Sequence, residues 1–138
     1  MTSNGPANPP ETAPFDGDRP PVTVMVCTAC RRAGDAEDAP RAGTGLAKAL
    51  AAAAGAEVVL RPVQCLANCS RGPSAALARP GAWTYVFGGL DPAEGAVALL
   101  EGARLLAAAP DGLMPWRGRP EALKRGMVAR IPPLEAAP

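Results

Sequence analysis

The sequence predicts an α/β domain with a mixed four-stranded sheet and helices packed on it. β-branched runs alternate along the chain with alanine- and leucine-rich segments of high helix propensity. One helix candidate separates the first two strand candidates, which is the pattern of a parallel strand–helix–strand unit. Only a short turn with a Pro-Gly step separates the last two strand candidates, which indicates an antiparallel hairpin.

The predicted elements follow one another without long gaps in the middle of the chain. In order they are a strand over residues 22–27, a helix over 43–54, a strand over 57–63, strands over 74–78 and 83–87, and a helix from Asp91 to about Ala109. Pro62 indicates that the second of these strands lies near a sheet edge or bends at its end. This order of elements is the thioredoxin-like arrangement.

Helix faces and caps follow from spacing. The residues predicted to face the core are Leu46, Ala49, Leu50 and Ala53 in the first helix, and Val97, Leu100, Ala103 and Leu105 or Leu106 in the second. Asp91 and Glu94 have the spacing of a capping box, with Pro92 at the first helical position. Residues 43–45, Gly-Thr-Gly, match a dinucleotide-binding loop only weakly, because the third glycine is missing.

Three regions are predicted along the chain. Residues 1–20 are rich in Pro, Gly, Asn and Asp and form a disordered arm. Residues 21–110 form the thioredoxin-like domain. Residues 111–138 form a tail with Trp116 and a short helical piece, and this tail is expected to dock on its own domain or on a dimer partner.

Charge and composition exclude several functional classes. Lys and Arg number 14 against 13 Asp and Glu, so nothing indicates a nucleic-acid-binding face. The few aromatic residues are not interleaved with arginines in the sequence. No apolar run approaches the roughly 20 residues that span a bilayer, and the first residues contain no signal-peptide core. We therefore expect a cytoplasmic protein whose thiols stay reduced.

Four cysteines carry the chemistry of this sequence. Cys27 and Cys30 follow the first predicted strand, and Cys65 and Cys69 follow the second. Because the carboxyl ends of parallel neighbours share one edge of a sheet, about 4.8 Å apart when directly paired, all four thiols are expected to converge there. Paired cysteines in a reducing compartment bind metal or perform redox chemistry more often than they form disulfides.

The chain contains no histidine. This excludes His-dependent catalysis, mixed Cys/His zinc sites and Rieske-type clusters. Four thiolates suit either a tetrahedral zinc ion or an iron–sulfur cluster. A thioredoxin-type catalytic dithiol at Cys27 and Cys30 is a further alternative, although it leaves Cys65 and Cys69 unexplained.

Residues 63–73, VQCLANCSRGP, resemble the second cysteine loop of thioredoxin-like [2Fe–2S] ferredoxins. The cluster-bearing thioredoxin-like subunit of respiratory complex I has a similar V-x-C-L-x-x-C followed by a proline. This resemblance spans roughly residues 22–109 and implies a [2Fe–2S] cluster bound by Cys27, Cys30, Cys65 and Cys69. The chain departs from those ferredoxins in its first pair, where only two residues separate the cysteines.

Nearly the whole chain also resembles a bacterial family of unknown function, usually described as predicted metal-binding proteins. The segments that carry this resemblance are residues 27–32, 63–69, 81–88, 111–117 and 128–133. Members of that family are often encoded beside cobalamin-biosynthesis genes. The resemblance therefore implies a link to cobalt or corrin chemistry.

These observations together predict a [2Fe–2S] electron carrier and not an enzyme. Its partners would be a reductase and an electron acceptor, and related ferredoxins imply a homodimer with the Trp116 tail as a candidate contact. The competing hypothesis is a four-cysteine zinc- or cobalt-binding module that serves structure or metal delivery.

Overall fold

The computed structural model describes residues 21–29, 41–55, 58–67 and 72–134. The described elements are, in chain order, β1 (Val22–Cys27), α1 (Ala42–Ala53), β2 (Val58–Val63), β3 (Ala75–Ala78), β4 (Thr84–Phe87), α2 (Glu94–Ala108), α3 (Glu121–Arg125) and β5 (Met127–Ile131). Every predicted strand and helix of the central region is present, with bounds that differ from the predicted ones by at most three residues.

The strands form one mixed sheet in the order β2-β1-β3-β4-β5. β1 and β2 are parallel, while β3, β4 and β5 continue the sheet through antiparallel pairs. The predicted parallel pair and hairpin are thus confirmed, and β2 with Pro62 is an edge strand as expected. The predicted number of four strands is wrong, because β5 from the tail pairs with β4 and makes a fifth.

The core lies on one face of the sheet. Val22, Val24 and Val26 point to this face and are fully buried, whereas Thr23 and Met25 on the other face are partly exposed. Leu77 of β3 lies opposite Val24 and reaches the site of Gly102 in α2. The two long helices therefore cover the same face, with Leu46 of α1 packed beside Gly95 of α2.

Two predicted core positions are wrong. Val97 is 62% exposed, although Leu100, Ala103 and Leu106 of the same helix are buried. Nine residues separate Val97 from Leu106, which at 3.6 residues per turn places the two side chains on opposite sides of α2. Ala53 is exposed as well, because it is the last residue of α1.

The Asp91 half of the predicted capping box at α2 is confirmed. The Asp91 carboxylate accepts hydrogen bonds from the backbone N–H groups of Ala93 at 2.9 Å and Glu94 at 2.8 Å. The helix begins at Glu94, and Ala93 before it already has helical backbone angles. Pro92 therefore lies in the turn that precedes α2 and not at its first residue.

Tyr85 of β4 and Arg119, which follows α2, attach the tail to the sheet. The Tyr85 hydroxyl accepts a hydrogen bond from the Met114 N–H at 2.8 Å. The Arg119 guanidinium donates to the carbonyls of Met114 at 2.6 Å and Pro115 at 3.2 Å and lies over the Tyr85 ring. The predicted limits of arm, domain and tail stay predictions, and residues 1–20 lie outside the described ranges.

Trp83, Tyr85 and Phe87 share one strand face, as predicted. Tyr85 and Phe87 are fully buried with their rings stacked 6.3 Å apart, and Trp83 is partly buried against the core. None of the helices in the described part of the chain is both long and apolar enough to cross a bilayer.

Leu106→Ala and Val97→Ala test the assigned faces of α2. Leu106 is fully buried, so its truncation should lower the free energy of unfolding by about 2–5 kcal/mol. Val97 is exposed, and its replacement by the better helix former should change stability by less than about 0.5 kcal/mol. Denaturant unfolding measures both values. Equal losses for the two variants would contradict the observed orientation of the helix.

Candidate functional site

The cysteine loops begin side by side at one edge of the sheet. β1 and β2 pair in parallel with Cys27 opposite Val63, so both strands end at the same level. The Val63 carbonyl accepts hydrogen bonds from the Thr28 N–H at 2.8 Å and from the Thr28 hydroxyl at 3.2 Å. These bonds extend the pairing past the end of β1 and hold the two loops together.

Cys27 is held at the base of this edge. Its side chain is fully buried, and its backbone N–H donates to the Ser74 carbonyl at 3.0 Å. The thiol Sγ lies 3.5 Å from the Gln64 carbonyl oxygen, within reach of an S–H hydrogen bond. Gln64 directly precedes Cys65, so the first cysteine already contacts the loop that carries the second pair.

Cys65 has the opposite environment. Its side chain is exposed, and its sulfur accepts a hydrogen bond from the backbone N–H of Ala67 at 3.2 Å. Ala67 adopts a left-handed backbone conformation with φ of 60°, so the chain changes direction directly after this N–H. Such a conformation costs a non-glycine residue about 1 kcal/mol or more. Backbone N–H groups that donate to cysteine sulfur are a common feature of cysteine ligands in metal and cluster sites.

The first turn of α1 holds the backbone of the first cysteine loop. The Arg41 guanidinium donates to the Ala29 carbonyl at 2.7 Å, and the Thr44 hydroxyl donates to the Thr28 carbonyl at 3.1 Å. Gly43 packs against the Cys27 carbonyl so closely that a Cβ atom there would overlap the oxygen. Three consecutive carbonyls, from Cys27 to Ala29, are thus engaged by one helical turn.

This packing also sets the local electrostatics. The amino-terminal end of a helix carries a partial positive charge from its aligned peptide dipoles. The contact between Gly43 and the Cys27 carbonyl brings that end of α1 directly against the end of β1. The positive end of the α1 dipole therefore lies against the backbone of the first cysteine loop.

The structure places two of the four predicted ligands. Cys27 and Cys65 lie on the adjacent loops, as the strand pattern predicts, while Cys30 and Cys69 lie outside the described residues. Within the described ranges, the side chains of His, Cys, Asp and Glu form no group of three or more that could hold a metal ion. The complete four-cysteine set therefore stays a prediction.

The role of α1's first turn was not predicted from the sequence. The Gly-Thr-Gly run matches a dinucleotide-binding loop only weakly, whereas in the structure Gly43 and Thr44 contact the cysteine loop. Gly43 itself was the feature of the sequence that could have predicted this contact. A glycine in the first turn of a helix lowers helix stability, so its presence often marks a close approach of another backbone.

Gly43→Ala tests this close approach, with Gly45→Ala as the matched control. The added methyl at residue 43 would meet the Cys27 carbonyl, so we expect a loss of about 1–3 kcal/mol in unfolding free energy. At residue 45 the nearest atom is the Pro92 Cβ at 3.6 Å, and this variant should gain up to about 1 kcal/mol from helix propensity. Thermal or denaturant unfolding gives the difference. A Gly43→Ala protein as stable as the control would show that the contact does not constrain the loop.

Comparison with known proteins confirms the fold. The chain resembles the structure of a thioredoxin-like [2Fe–2S] ferredoxin from Aquifex aeolicus, with a TM-score of 0.52 and 17% sequence identity. The match covers 85% of this chain and 98% of that protein. The architecture is therefore thioredoxin-like, with a fifth strand in the sheet. Among curated proteins, none matches the chain.

A family model covers most of the sequence. Residues 24–133 match DUF1636, a family of proteins of unknown function. The matched region begins in β1, includes all four cysteines and ends just after β5. The chain therefore belongs to the DUF1636 family.

Proposed function

We propose that this protein binds a [2Fe–2S] cluster and carries single electrons between protein partners. The ligands would be Cys27, Cys30, Cys65 and Cys69. The observation that carries the proposal is the parallel register of β1 and β2, which brings the loops of Cys27 and Cys65 to one edge with the Cys27 sulfur 3.5 Å from the Gln64 oxygen. The thioredoxin-like [2Fe–2S] ferredoxin from Aquifex aeolicus has the same fold.

The residues present suit such a cluster chemically. Four cysteines without histidine supply the all-thiolate set that [2Fe–2S] clusters of the ferredoxin type use. The Ala67 N–H directed at the Cys65 sulfur is the kind of hydrogen bond that stabilises a cluster ligand. When bound, the cluster would supply reversible one-electron chemistry, which no side chain of the described residues provides.

The two placed cysteines would have different tasks. Cys27 is fully buried, so it anchors a cluster against the sheet and away from water. Cys65 is exposed, so the same cluster would lie close to the surface where a partner protein can approach. The first turn of α1 keeps the Cys27 backbone in place, which limits the movement of this loop when charge changes.

An electron carrier needs no catalytic residues, and the chain's lack of histidine agrees with that role. We therefore propose a carrier and not an enzyme, with a reductase and an electron acceptor as partners. A homodimer and a role in cobalamin or cobalt metabolism stay predictions that rest on the resemblances in sequence. A cytoplasmic location stays a prediction from the composition of the chain.

Metal and sulfide analysis of protein purified without air tests the proposal. We expect brown protein with about two irons and two acid-labile sulfides per chain. Visible absorption bands from sulfide-to-iron charge transfer should bleach on addition of dithionite. Colourless protein that contains stoichiometric zinc or cobalt and no labile sulfide would refute the cluster and favour the four-cysteine metal-binding module.

Serine variants test the four ligands one at a time. Cys27→Ser, Cys30→Ser, Cys65→Ser and Cys69→Ser should each lose most of the iron and sulfide, because serine rarely replaces a thiolate at such a cluster. Thr28→Ala is the matched control in the same loop. It removes the hydroxyl bond to Val63 but no thiol, and the backbone bond from Thr28 to Val63 remains. Full cluster content in any of the serine variants would remove that cysteine from the ligand set.

A further inference from the structure

The free edge of β5 lies at the opposite side of the sheet from β2. In the described part of the chain β5 pairs only with β4, and Val128 to Ile131 are all exposed. An edge strand presents a row of backbone N–H and C=O groups that can pair with another strand. We name the tail face as this edge together with the exposed and partly exposed side chains near it. Its members are Trp116, Lys124, Val128, Arg130 and Ile131.

The tail face concentrates exposed apolar surface. Of the six large apolar side chains that are exposed among the described residues, four belong to residues 116–134. They are Trp116 at 57%, Val128 at 39%, Ile131 at 52% and Leu134 at 100% exposure. Apolar side chains gathered beside an unpaired strand edge are typical of surfaces that bind another polypeptide.

The same region is strongly basic. Residues 113–134 contain five basic side chains and one acidic side chain, a net charge of +4 in a chain whose total is +1. The one acidic group, Glu121, is engaged by Arg125 at 3.1 Å. Lys124 of α3 and Arg130 of β5 therefore add positive charge beside the free edge that Glu121 does not neutralise.

Aromatic rings hold several of these cations in place. The ring of Trp116 is contacted by the Arg119 guanidinium at 5.0 Å and by the Lys124 ammonium at 5.2 Å. Arg130 lies over the ring of Trp83 at 4.6 Å. Cation–π contacts of this kind are worth about 0.5–1 kcal/mol at exposed sites, so they favour the observed positions of the charges.

We propose that the β5 edge binds an extended acidic segment of a partner protein by strand addition. The segment's backbone would pair with β5, its acidic side chains would face Lys124 and Arg130, and its alternate apolar side chains would cover Val128 or Ile131. This proposal goes beyond electron transfer and does not depend on whether a cluster is bound.

Two other binding partners fit the charge and the aromatic contacts of the tail face less well. A second copy of this chain would bring two edges with the same positive charge together, and like charges beside paired strands are unfavourable. A single-stranded nucleic acid would need free aromatic faces for its bases, whereas Trp116 and Trp83 already stack with cations. A nucleic acid also gains nothing from an unpaired strand edge.

The test uses the full chain and an acetylated octapeptide of alternating Glu and Val. Titration followed by NMR should move the amide signals of Met127–Ile131 and slow their hydrogen exchange. The double variant Lys124→Glu/Arg130→Glu should weaken binding by about tenfold or more. Lys48→Glu, on the exposed side of α1, carries the same charge change per site and should leave binding within about twofold.

Three matched probes separate strand addition from simple charge attraction. An octapeptide of alternating Lys and Val should not bind, and N-methylation at alternate residues of the Glu/Val peptide should abolish binding with its charge unchanged. Equal binding of the methylated peptide, or tighter binding of a ten-base oligothymidylate, would overturn the proposal. Slow hydrogen exchange of the β5 amides without peptide would also overturn the proposal if exchange became faster on dilution or on removal of residues 1–20. The edge would then already be covered by a second copy or by the chain's own first residues.

Discussion

The parallel pairing of β1 with β2 is the constraint on which the cysteine edge of the structure depends. Parallel neighbours cannot be joined by a tight turn, so the chain must cross over, and α1 makes that connection. Both strands then end at the same edge, which is why Cys27 and Cys65 lie on adjacent loops. The helix that makes the crossover begins at this edge, and Gly43 allows its first turn to touch the Cys27 carbonyl.

The far side of the sheet depends on a second constraint, the attachment of the tail. Arg119 is nearly buried and donates to two tail carbonyls while its guanidinium lies over Tyr85. Burial lowers the pKa of Arg119 from its usual value, with a smaller opposing contribution from Tyr85, yet an arginine stays charged at neutral pH. These contacts lead the chain to α3 and then to β5, which adds to β4 and becomes the edge strand.

Local patterns were sufficient to predict most elements but not every contact between them. β-branched runs, the Asp91 cap and the Pro-Gly turn act over a few residues, and each appears as predicted. Val97 was misplaced because spacing by three residues drifts around a helix that turns every 3.6. β5 was not assigned to the sheet because its pairing with β4 joins residues distant in sequence. The hydrogen bonds from Arg41 and Thr44 to the cysteine loop were not predicted either, because they depend on tertiary packing.

The strand order separates the two proposed surfaces electrostatically. Neighbouring strands lie about 4.8 Å apart, so β5 is about 14 Å from β1 and about 19 Å from β2 across the sheet. At about 0.1 M salt the screening length is about 10 Å, so exposed charges on the tail face act only weakly on the cysteine edge. Changing Lys124 or Arg130 should therefore alter what binds at β5 without altering the cysteine site, and loss of the cysteines should leave the basic edge intact. The proposal of a partner surface at β5 and the proposal of a cluster at the cysteine edge can therefore be tested independently of each other.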